Sequence, residues 1–322
     1  MWIVGDLSVS HETLSAFRRS HRDALYALFT DVAAALMEKG LLCLDLVTHD
    51  GTRTRAAASA PSFRTYGSLL RCREQAALHL KAVLAAAEED DEEYTAAEHA
   101  RREVAARDYQ ARVEAAIETA KQRQAQRRPT DDKPVRASTT DAQARVMKMG
   151  DGGFRPALNV PYAVAGSKEG GPRAVVGVLV TNVGSDMGSL TPMVEQIEHH
   201  TGQRPKTMLA DGGCAKNEDI IAVERLGVQV LVPPPETAKS LEKLRAEGAA
   251  PELIAWRERM ESVEGKEQYR ARASLVELNN AHQKSHHNIA PFLVRGIEKA
   301  TCVILLGALA TNLTPFGSAL LS

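Results

Sequence analysis

The stretch Leu-Cys-Leu-Asp-Leu-Val at residues 42–47, followed by Thr-His-Asp-Gly-Thr at 48–52, decides the fold class of the chain. A short apolar run of leucine and β-branched residues predicts a buried strand. An Asp-Gly pair predicts a turn directly after it. The pattern therefore predicts that Asp50 stands at the end of the first strand.

Helical patterns lie on both sides of this strand. Residues 10–40 predict two helices, the first capped by Ser10 and the second closed by Gly40. Residues 66–128 are rich in Ala, Glu, Arg and Gln and predict a long helical hairpin, whose acidic run 88–93 is a solvated turn. Because its apolar positions are sparse, we expect this hairpin to pack weakly or to need a partner.

The remainder of the chain alternates between strand-like and helical patterns. We predict strands near 158–164, 174–182, 207–210 and 228–232, helices near 190–200, 218–226, 270–284 and 295–313, and a charged helical insertion at 235–265. Strands and helices in this order predict a mixed α/β fold with one sheet. Pro161 lies inside a predicted strand, and since proline lacks the N–H donor, that strand should be at a sheet edge or bulged.

Composition excludes several classes of protein. The 40 Lys and Arg residues nearly balance the 41 Asp and Glu residues, so any basic surface must be local. No apolar run is long enough to predict a membrane span, and no secretion signal opens the chain. The four cysteines form no C-x-x-C pair, which argues against a zinc site or a disulfide framework and favours reduced thiols in the cytosol.

Three carboxylates stand where catalytic acids are often found. Asp50 and Asp211 each follow a predicted strand, and Glu277 lies within a predicted helix. Converging carboxylates can hold Mg²⁺, and two such ions can assist an in-line phosphoryl displacement. Each residue also has an ordinary structural interpretation: a turn residue for Asp50, a helix cap for Asp211 and a surface acid for Glu277. Spacing does not choose between these interpretations.

Several blocks of the chain, in order, resemble the DDE transposases of bacterial insertion sequences, which have an RNase H-like catalytic domain. The blocks are residues 47–56, 140–149, 153–160, 180–188, 209–213, 269–277 and 292–299. Together they span most of the chain, and the blocks at 47–56, 209–213 and 269–277 carry Asp50, Asp211 and Glu277. The resemblance implies that these three residues are catalytic and bind two Mg²⁺ ions, for which Mn²⁺ can substitute.

A four-residue signature accompanies the glutamate. Tyr269, Arg272, Glu277 and Lys284, here called the signature residues, resemble the Tyr–Arg–Glu–Lys set of related transposases, with one extra residue between Arg272 and Glu277. The resemblance implies that Tyr269, Arg272 and Lys284 bind DNA phosphate. Cations at such positions suit phosphate oxygens.

The resemblance also implies a function and partners. We expect Mg²⁺-dependent DNA strand cleavage and strand transfer at the terminal inverted repeats of an insertion sequence and into target DNA. We expect a homodimer on DNA, no membrane partner, and a cytoplasmic, nucleoid-associated location in bacteria. Related transposases carry a longer helical N-terminal region, so we expect a truncated element.

The expected organisation follows from these blocks. Residues 1–40 are the remnant of a helical DNA-binding region, 41–65 hold the first strand of the catalytic domain, and 66–128 form the helical-hairpin insertion. Residues 129–150 form a basic linker, and 151–322 complete the RNase H-like domain with a small insertion at 235–265.

Other interpretations stay open. The chain could be a catalytically inactive DNA-binding remnant, or a helical scaffold that depends on residues 66–128. Asp141 and Asp186 are interpreted as turn or cap residues, and His282, His286 and His287 as surface residues. Convergence of Asp50, Asp211 and Glu277 would argue against a scaffold, because a scaffold does not require it.

Overall fold

The structure is a computed structural model that describes residues 8–88, 94–127, 133–166, 171–270, 272, 289 and 291–321. The chain divides into two compact units. The first contains Met1–Thr54, Asn159–Ala290 and Glu298–Ser322, and the second contains Arg55–Leu158 and Pro291–Ile297.

The described residues form helices and strands in an alternating order. In chain order they are α1 (His11–Ser20), α2 (Arg22–Glu38), β1 (Cys43–Arg55), β2 (Phe63–Thr65), α3 (Tyr66–Glu88), α4 (Ala96–Ala125), β3 (Arg136–Ser138), β4 (Arg145–Lys148), β5 (Phe154–Gly166), β6 (Arg173–Val178), α5 (Leu190–Thr201), β7 (Thr207–Leu209), α6 (Asn217–Arg225), β8 (Gln229–Leu231), α7 (Leu241–Ala246), α8 (Pro251–Glu261), α9 (263–270) and α10 (Ile297–Leu321). Single-turn 3₁₀ helices occur at Ala60–Ser62 and Gly212–Cys214.

The first unit contains a mixed sheet. The strand order is β5-β1-β7-β8, with β6 also paired to β5. Strand β7 lies parallel to both β1 and β8, whereas β6 is antiparallel to β5. Helices accompany the strands, so the predicted mixed α/β architecture is confirmed. The carboxyl ends of β1, β7 and β8 lie at the same edge of the sheet, where α/β proteins usually bind ligands.

Strand β1 is longer than predicted. It continues through Asp50 and Gly51 to Arg55, so Asp50 lies within the strand and not in a turn after it. Thr52 and Thr54 are buried at 8% and 3% exposure. Pairing and burial across a sheet override the turn preference of an Asp-Gly pair, because strand preference depends mainly on context.

Pro161 interrupts the hydrogen bonds between strands β5 and β6. Strand β5 lies between β1 and β6 and so is not at an edge, but its pairing with β6 is irregular, which agrees with the predicted alternative of a bulge. The Leu179 N–H donates to the Pro161 carbonyl (2.9 Å), and proline has no N–H to return the bond. Strand β6 ends at Val178, next to this position. The register shift in the β5–β6 pair lies between Ala163 and Val164.

The second unit has its own small core. The helices α3 and α4 pack against each other and against β3 through Leu69, Val113, Ile117 and Ala137, which are all nearly inaccessible to solvent. The expected helical hairpin is thus confirmed, and it packs against strand β3 of the same unit. The acidic turn expected at 88–93 falls almost entirely on residues 89–93, outside the described residues.

The segment expected to be a basic linker contains regular structure. Strand β3 pairs with β2, and β4 pairs with the first residues of β5. Arg123 donates to the carbonyl oxygens of Arg136 (3.1 Å) and Ala144 (3.1 Å), which ties this segment to the end of α4. Backbone pairing explains why the described part of this segment, residues 133–150, contains strands despite its charges.

Helix α10 packs within the first unit. The side chain of Asn312 is fully buried, accepts the Val175 N–H (2.8 Å) and donates to the Val175 carbonyl (2.9 Å) on strand β6. Among the described residues, α10 is long and apolar enough to cross a membrane by length and composition alone. This is weak evidence, because core helices of soluble proteins meet the same criterion.

A buried histidine joins α2 to α5. His200 is 1% exposed, its Nδ1 lies 2.7 Å from Thr30 Oγ1, and its ring packs against Phe29. Burial, and then the neighbouring His199, lower the pKa of His200 to about 4. The imidazole is therefore neutral in the folded protein at neutral pH.

This histidine predicts loss of stability in acid. Between pH 6.5 and about 4 the unfolded chain binds a proton that folded His200 does not, so its stabilising contribution is present above pH 6.5 and is lost as the pH falls. We expect the free energy of unfolding to fall by about 2–3 kcal/mol more in the wild type than in His200→Gln. Urea titrations from pH 7 to 4 measure this, with the exposed His11→Gln as control. Equal losses in the wild type and His200→Gln would refute it.

Candidate active site

Asp50 lies on β1, and Asp211 follows the neighbouring strand β7. Strands β1 and β7 pair in parallel, with Thr48 opposite Leu209. Asp50 lies two residues beyond Thr48, and Asp211 lies two residues beyond Leu209, where β7 ends. The backbone of Asp211 is extended (φ −77°, ψ 169°), and its carboxylate is near enough for its charge to act on Asp50. The structure thus brings together two of the three predicted catalytic carboxylates.

Asp211 also has the structural role that its sequence context predicted. Its Oδ1 accepts the Gly213 N–H at 2.9 Å and so caps the short 3₁₀ helix. The thiol of Cys214, which is buried, lies 3.7 Å from the same oxygen. Burial, and then the charge of Asp211, raise the pKa of the Cys214 thiol, which keeps it protonated. The cap fixes the direction of the Asp211 carboxylate at the sheet edge.

Asp50 forms an ion pair with a signature residue. Arg272 Nη2 lies 3.0 Å from Asp50 Oδ1, and both side chains are about one-fifth exposed. The pKa of Asp50 is raised to about 6: burial is the largest cause, Arg272 opposes the rise, and the carboxylates of Asp211 and Asp186 add to it. Crowded carboxylates of this kind favour a nearby cation, because like charges destabilise one another.

The other signature residues are less completely described. Tyr269 is half-buried, and burial raises its pKa; Arg272 opposes this rise and Asp211 adds to it. The Tyr269 hydroxyl is therefore within electrostatic range of the same site. The predictions for Glu277 and Lys284, and for His282, His286 and His287, concern residues outside the described part of the chain.

A third carboxylate approaches the site where the sequence predicted only a turn or cap residue. Asp186 Oδ1 accepts a hydrogen bond from Asn159 Nδ2 at 2.6 Å, and Asn159 is 1% exposed. A Cβ atom added to Gly51 would lie 2.1 Å from Asp186 Oδ1. The missing side chain at Gly51 therefore admits this carboxylate. In the sequence, Gly51 indicates that another group can approach the backbone next to Asp50. It does not indicate that this group is Asp186.

Buried hydrogen bonds hold the segment that carries Asp186 against strand β1. His49 is fully buried, and its Nε2 lies 2.7 Å from Ser189 Oγ. The Ser189 hydroxyl donates to the Asp186 carbonyl at 2.6 Å. Burial lowers the pKa of His49 to about 4, so the ring stays neutral. These bonds link β1 to the segment that carries Asp186. In contrast, Asp141 accepts the N–H of Gln143, as expected of a turn residue, and it also accepts the N–H of Gly296, which is distant in sequence.

Gly51 offers a direct test of this packing. We expect Gly51→Ala to displace Asp186 and to lower the free energy of unfolding by about 1–3 kcal/mol, because the new methyl group overlaps the carboxylate. Chemical denaturation measures the loss. Gly317→Ala is the matched control, since a Cβ atom there meets nothing within 4 Å. Equal stability of the two variants would contradict the close approach of Asp186.

The donor set suits a hard divalent cation. Asp50 and Asp211 present carboxylate oxygens, the ligands that Mg²⁺ prefers. Within the described residues, no group of three or more His, Cys, Asp or Glu side chains is arranged to hold a metal ion. The third carboxylate implied by the resemblance, Glu277, lies outside those residues.

Comparison with known proteins adds independent support. Residues 238–315 match the family model of a transposase DDE domain. The match supports a DDE transposase. It spans 78 of the 322 residues (238 to 315 inclusive), which include all four signature residues but neither Asp50 nor Asp211. No curated protein and no solved structure matches the chain.

Proposed function

We propose that this protein is a DDE transposase that cleaves DNA strands at insertion-sequence ends and transfers them to target DNA. The observation that carries the proposal is the proximity of the Asp50 and Asp211 carboxylates beyond the paired segments of β1 and β7, with Arg272 against Asp50. The transposase DDE-domain match over 238–315 supports it from a different part of the chain.

In this proposal the reaction is a phosphoryl transfer in which the protein positions groups and balances charge. Asp50, Asp211 and Glu277 would hold two Mg²⁺ ions, for which Mn²⁺ can substitute. Bound cations would neutralise charge on the phosphate and lower the pKa of water. The capped carboxylate of Asp211 is oriented before substrate arrives. Arg272 neutralises Asp50 in the free protein, and it would turn to phosphate when DNA and cations bind.

Further expectations follow from this assignment. The fold of the catalytic part would be RNase H-like, with residues 66–128 as an insertion after the first strand. The substrates would be terminal inverted repeats and target DNA, the active species a homodimer on DNA, and the location the bacterial nucleoid, without a membrane partner. Residues 1–40 would belong to a helical DNA-binding region.

The proposal is tested by incubating the protein with labelled duplexes that carry the inverted repeats flanking its gene. Nicking at a repeat end with Mg²⁺, and none with EDTA, is the expected result. A joined product with a second duplex would demonstrate strand transfer. DNA binding with no nicking in either Mg²⁺ or Mn²⁺ would instead support the inactive DNA-binding remnant. Absence of both binding and nicking would favour the scaffold interpretation.

A further inference from the structure

A loop between the end of β6 and the start of α5 follows one face of strand β1. It consists of residues 181–189 and is here called the 181–189 loop. Arg53 Nη2 donates to the Gly184 carbonyl at 2.9 Å, and the Asp186 carboxylate occupies the place of a side chain at Gly51. Because alternate residues of a strand share a face, both contacts lie on the same face of β1. The loop therefore runs beside the candidate active site.

The far end of the loop reaches the second strand of the site. A Cβ atom added to Gly188 would lie 3.9 Å from Lys216 Cδ, in the segment that follows β7. The loop thus passes from β1 to the segment after β7, and these two parts of the chain carry Asp50 and Asp211. A molecule bound at the carboxylates would therefore lie next to the loop.

Hydrogen bonds hold the loop at several points. The Thr181 N–H and carbonyl pair with the backbone of the buried Asn159, both at 2.8 Å. The Val183 N–H donates to Thr181 Oγ1 at 2.8 Å, and the Met187 N–H donates to Ser185 Oγ at 3.2 Å. The conformation of the loop is therefore set within the protein itself, which lowers the entropy cost of binding a partner.

The loop exposes two apolar side chains despite this anchoring. Met187 is 55% exposed and Val183 is 47% exposed. The other exposed large apolar side chains that the structure describes in the first unit lie on helices or within two residues of one. A lone exposed apolar residue needs no explanation. Two on one anchored loop, on either side of Asp186 in the chain, indicate a contact surface.

The size and charge of this surface favour a nucleotide over a protein. Two half-exposed side chains offer far less area than the ~800 Å² per partner that a stable protein interface buries. Arg53 is partly exposed and places a cation at Gly184, within the same loop. A deoxyribonucleotide combines an apolar sugar and base face with an anionic phosphate, and apolar side chains such as methionine contact base steps in DNA complexes. It therefore matches both features of the loop.

We propose that the 181–189 loop binds the nucleotide next to the scissile phosphate. Met187 and Val183 pack against its sugar and base, and Arg53 pairs with the adjoining phosphate. The inference rests on the proposed function, because the ligand is DNA only if the carboxylates act in strand cleavage. Contacts to sugar and phosphate would fix the position of the strand against Asp50 and Asp211.

The salt dependence of DNA binding distinguishes the apolar contact from the ionic one. Anisotropy measures the affinity for a fluorescein-labelled duplex that carries a repeat end. We expect Met187→Gln, which keeps the length of the side chain, to bind about fivefold more weakly at every salt concentration, because burial of apolar surface releases no counterions. Val183→Thr should show the same pattern with a smaller loss, and Met187→Leu should keep the wild-type affinity. Arg53→Gln should lower the salt slope by about one.

A control and a second measurement locate the contact. Leu313→Ala is the matched control, since Leu313 is 41% exposed on α10, and its affinity and salt slope should equal those of the wild type. Met187→Cys is incubated with DNA that carries a thiol tether. Disulfide crosslinking is expected at the nucleotides that flank the repeat end, and not about one helical turn inward. The wild type measures the background from its native cysteines.

The outcomes separate this inference from the proposed function. If the wild type binds and nicks DNA while Met187→Gln keeps its affinity, the loop contact is overturned and the proposed function stands. A loss in Met187→Gln that disappears at high salt, or equal crosslinking at both tether positions, also overturns the contact. A changed sedimentation of free Met187→Gln with unchanged DNA affinity would make the loop a protein contact instead. Absence of DNA binding by the wild type overturns both proposals.

Discussion

Asp211→Asn is expected to lower the rate of Mg²⁺-dependent strand cleavage by about 10²–10³-fold, the usual cost of losing a group that stabilises developing charge. Asparagine caps helix starts as well as aspartate does, so the 3₁₀ turn at Gly212–Cys214 should remain. The substitution therefore removes the charge beside Asp50 while it preserves the local backbone. Asp50→Asn should cause a loss of similar size.

The control for this prediction lies on the same strand. Asp45 is on β1, five residues before Asp50, and pairs with Lys206 at the surface (2.7 Å). Asp45→Asn should cleave at the wild-type rate. Cleavage is followed on labelled DNA under single-turnover conditions, and anisotropy measures binding in parallel. If Asp211→Asn retains wild-type cleavage while binding DNA normally, Asp211 is not a catalytic residue.

Asp219→Ala is expected to produce the largest loss of stability, about 4 kcal/mol. This carboxylate is 7% exposed and receives the N–H groups of Leu190 and Thr191, both at 3.0 Å, and the Thr191 hydroxyl at 2.5 Å. It links α6 to the start of α5. Alanine would leave one buried and two partly buried donors without this acceptor, and hydrogen bonds to a charged acceptor contribute more than neutral ones.

Asp219→Asn provides the comparison for this loss. It keeps one acceptor oxygen and the size of the side chain, so the loss should be smaller, about 1–2 kcal/mol. Urea denaturation followed by circular dichroism measures both variants. A loss below about 1 kcal/mol in Asp219→Ala would show that the start of α5 does not depend on this cap.

The order of helices and strands follows from local patterns. Apolar spacing and end signals such as Ser10 and Gly40 predicted α1 and α2, and Ser10 indeed accepts the Thr13 N–H (3.1 Å). Such signals depend on neighbours within one or two helical turns, and so they can be read along the chain. The same reasoning failed at Asp50 and Gly51, where local turn preference was overridden by pairing with neighbouring strands.

In the candidate site, the sequence indicated individual residues, and the tertiary structure determined which of them lie close together. Residue types and order, together with the family resemblance, indicated Asp50, Asp211 and Arg272 separately. Their proximity depends on the parallel register of β1 with β7 and on the position of α9, which are contacts between residues far apart in the chain. The approach of Asp186 to Gly51 has the same origin, and no periodicity in the sequence encodes it.

The amino-acid order was therefore sufficient for most helices and strands and for the α/β class, because these depend on local propensity. The candidate carboxylates were indicated by residue chemistry together with the family resemblance. Three-dimensional packing was required for the rest: the extension of β1, the third carboxylate at Asp186 and the anchoring of the 181–189 loop on β1. Each of these arises where segments distant in sequence meet and where burial changes the environment of a polar group.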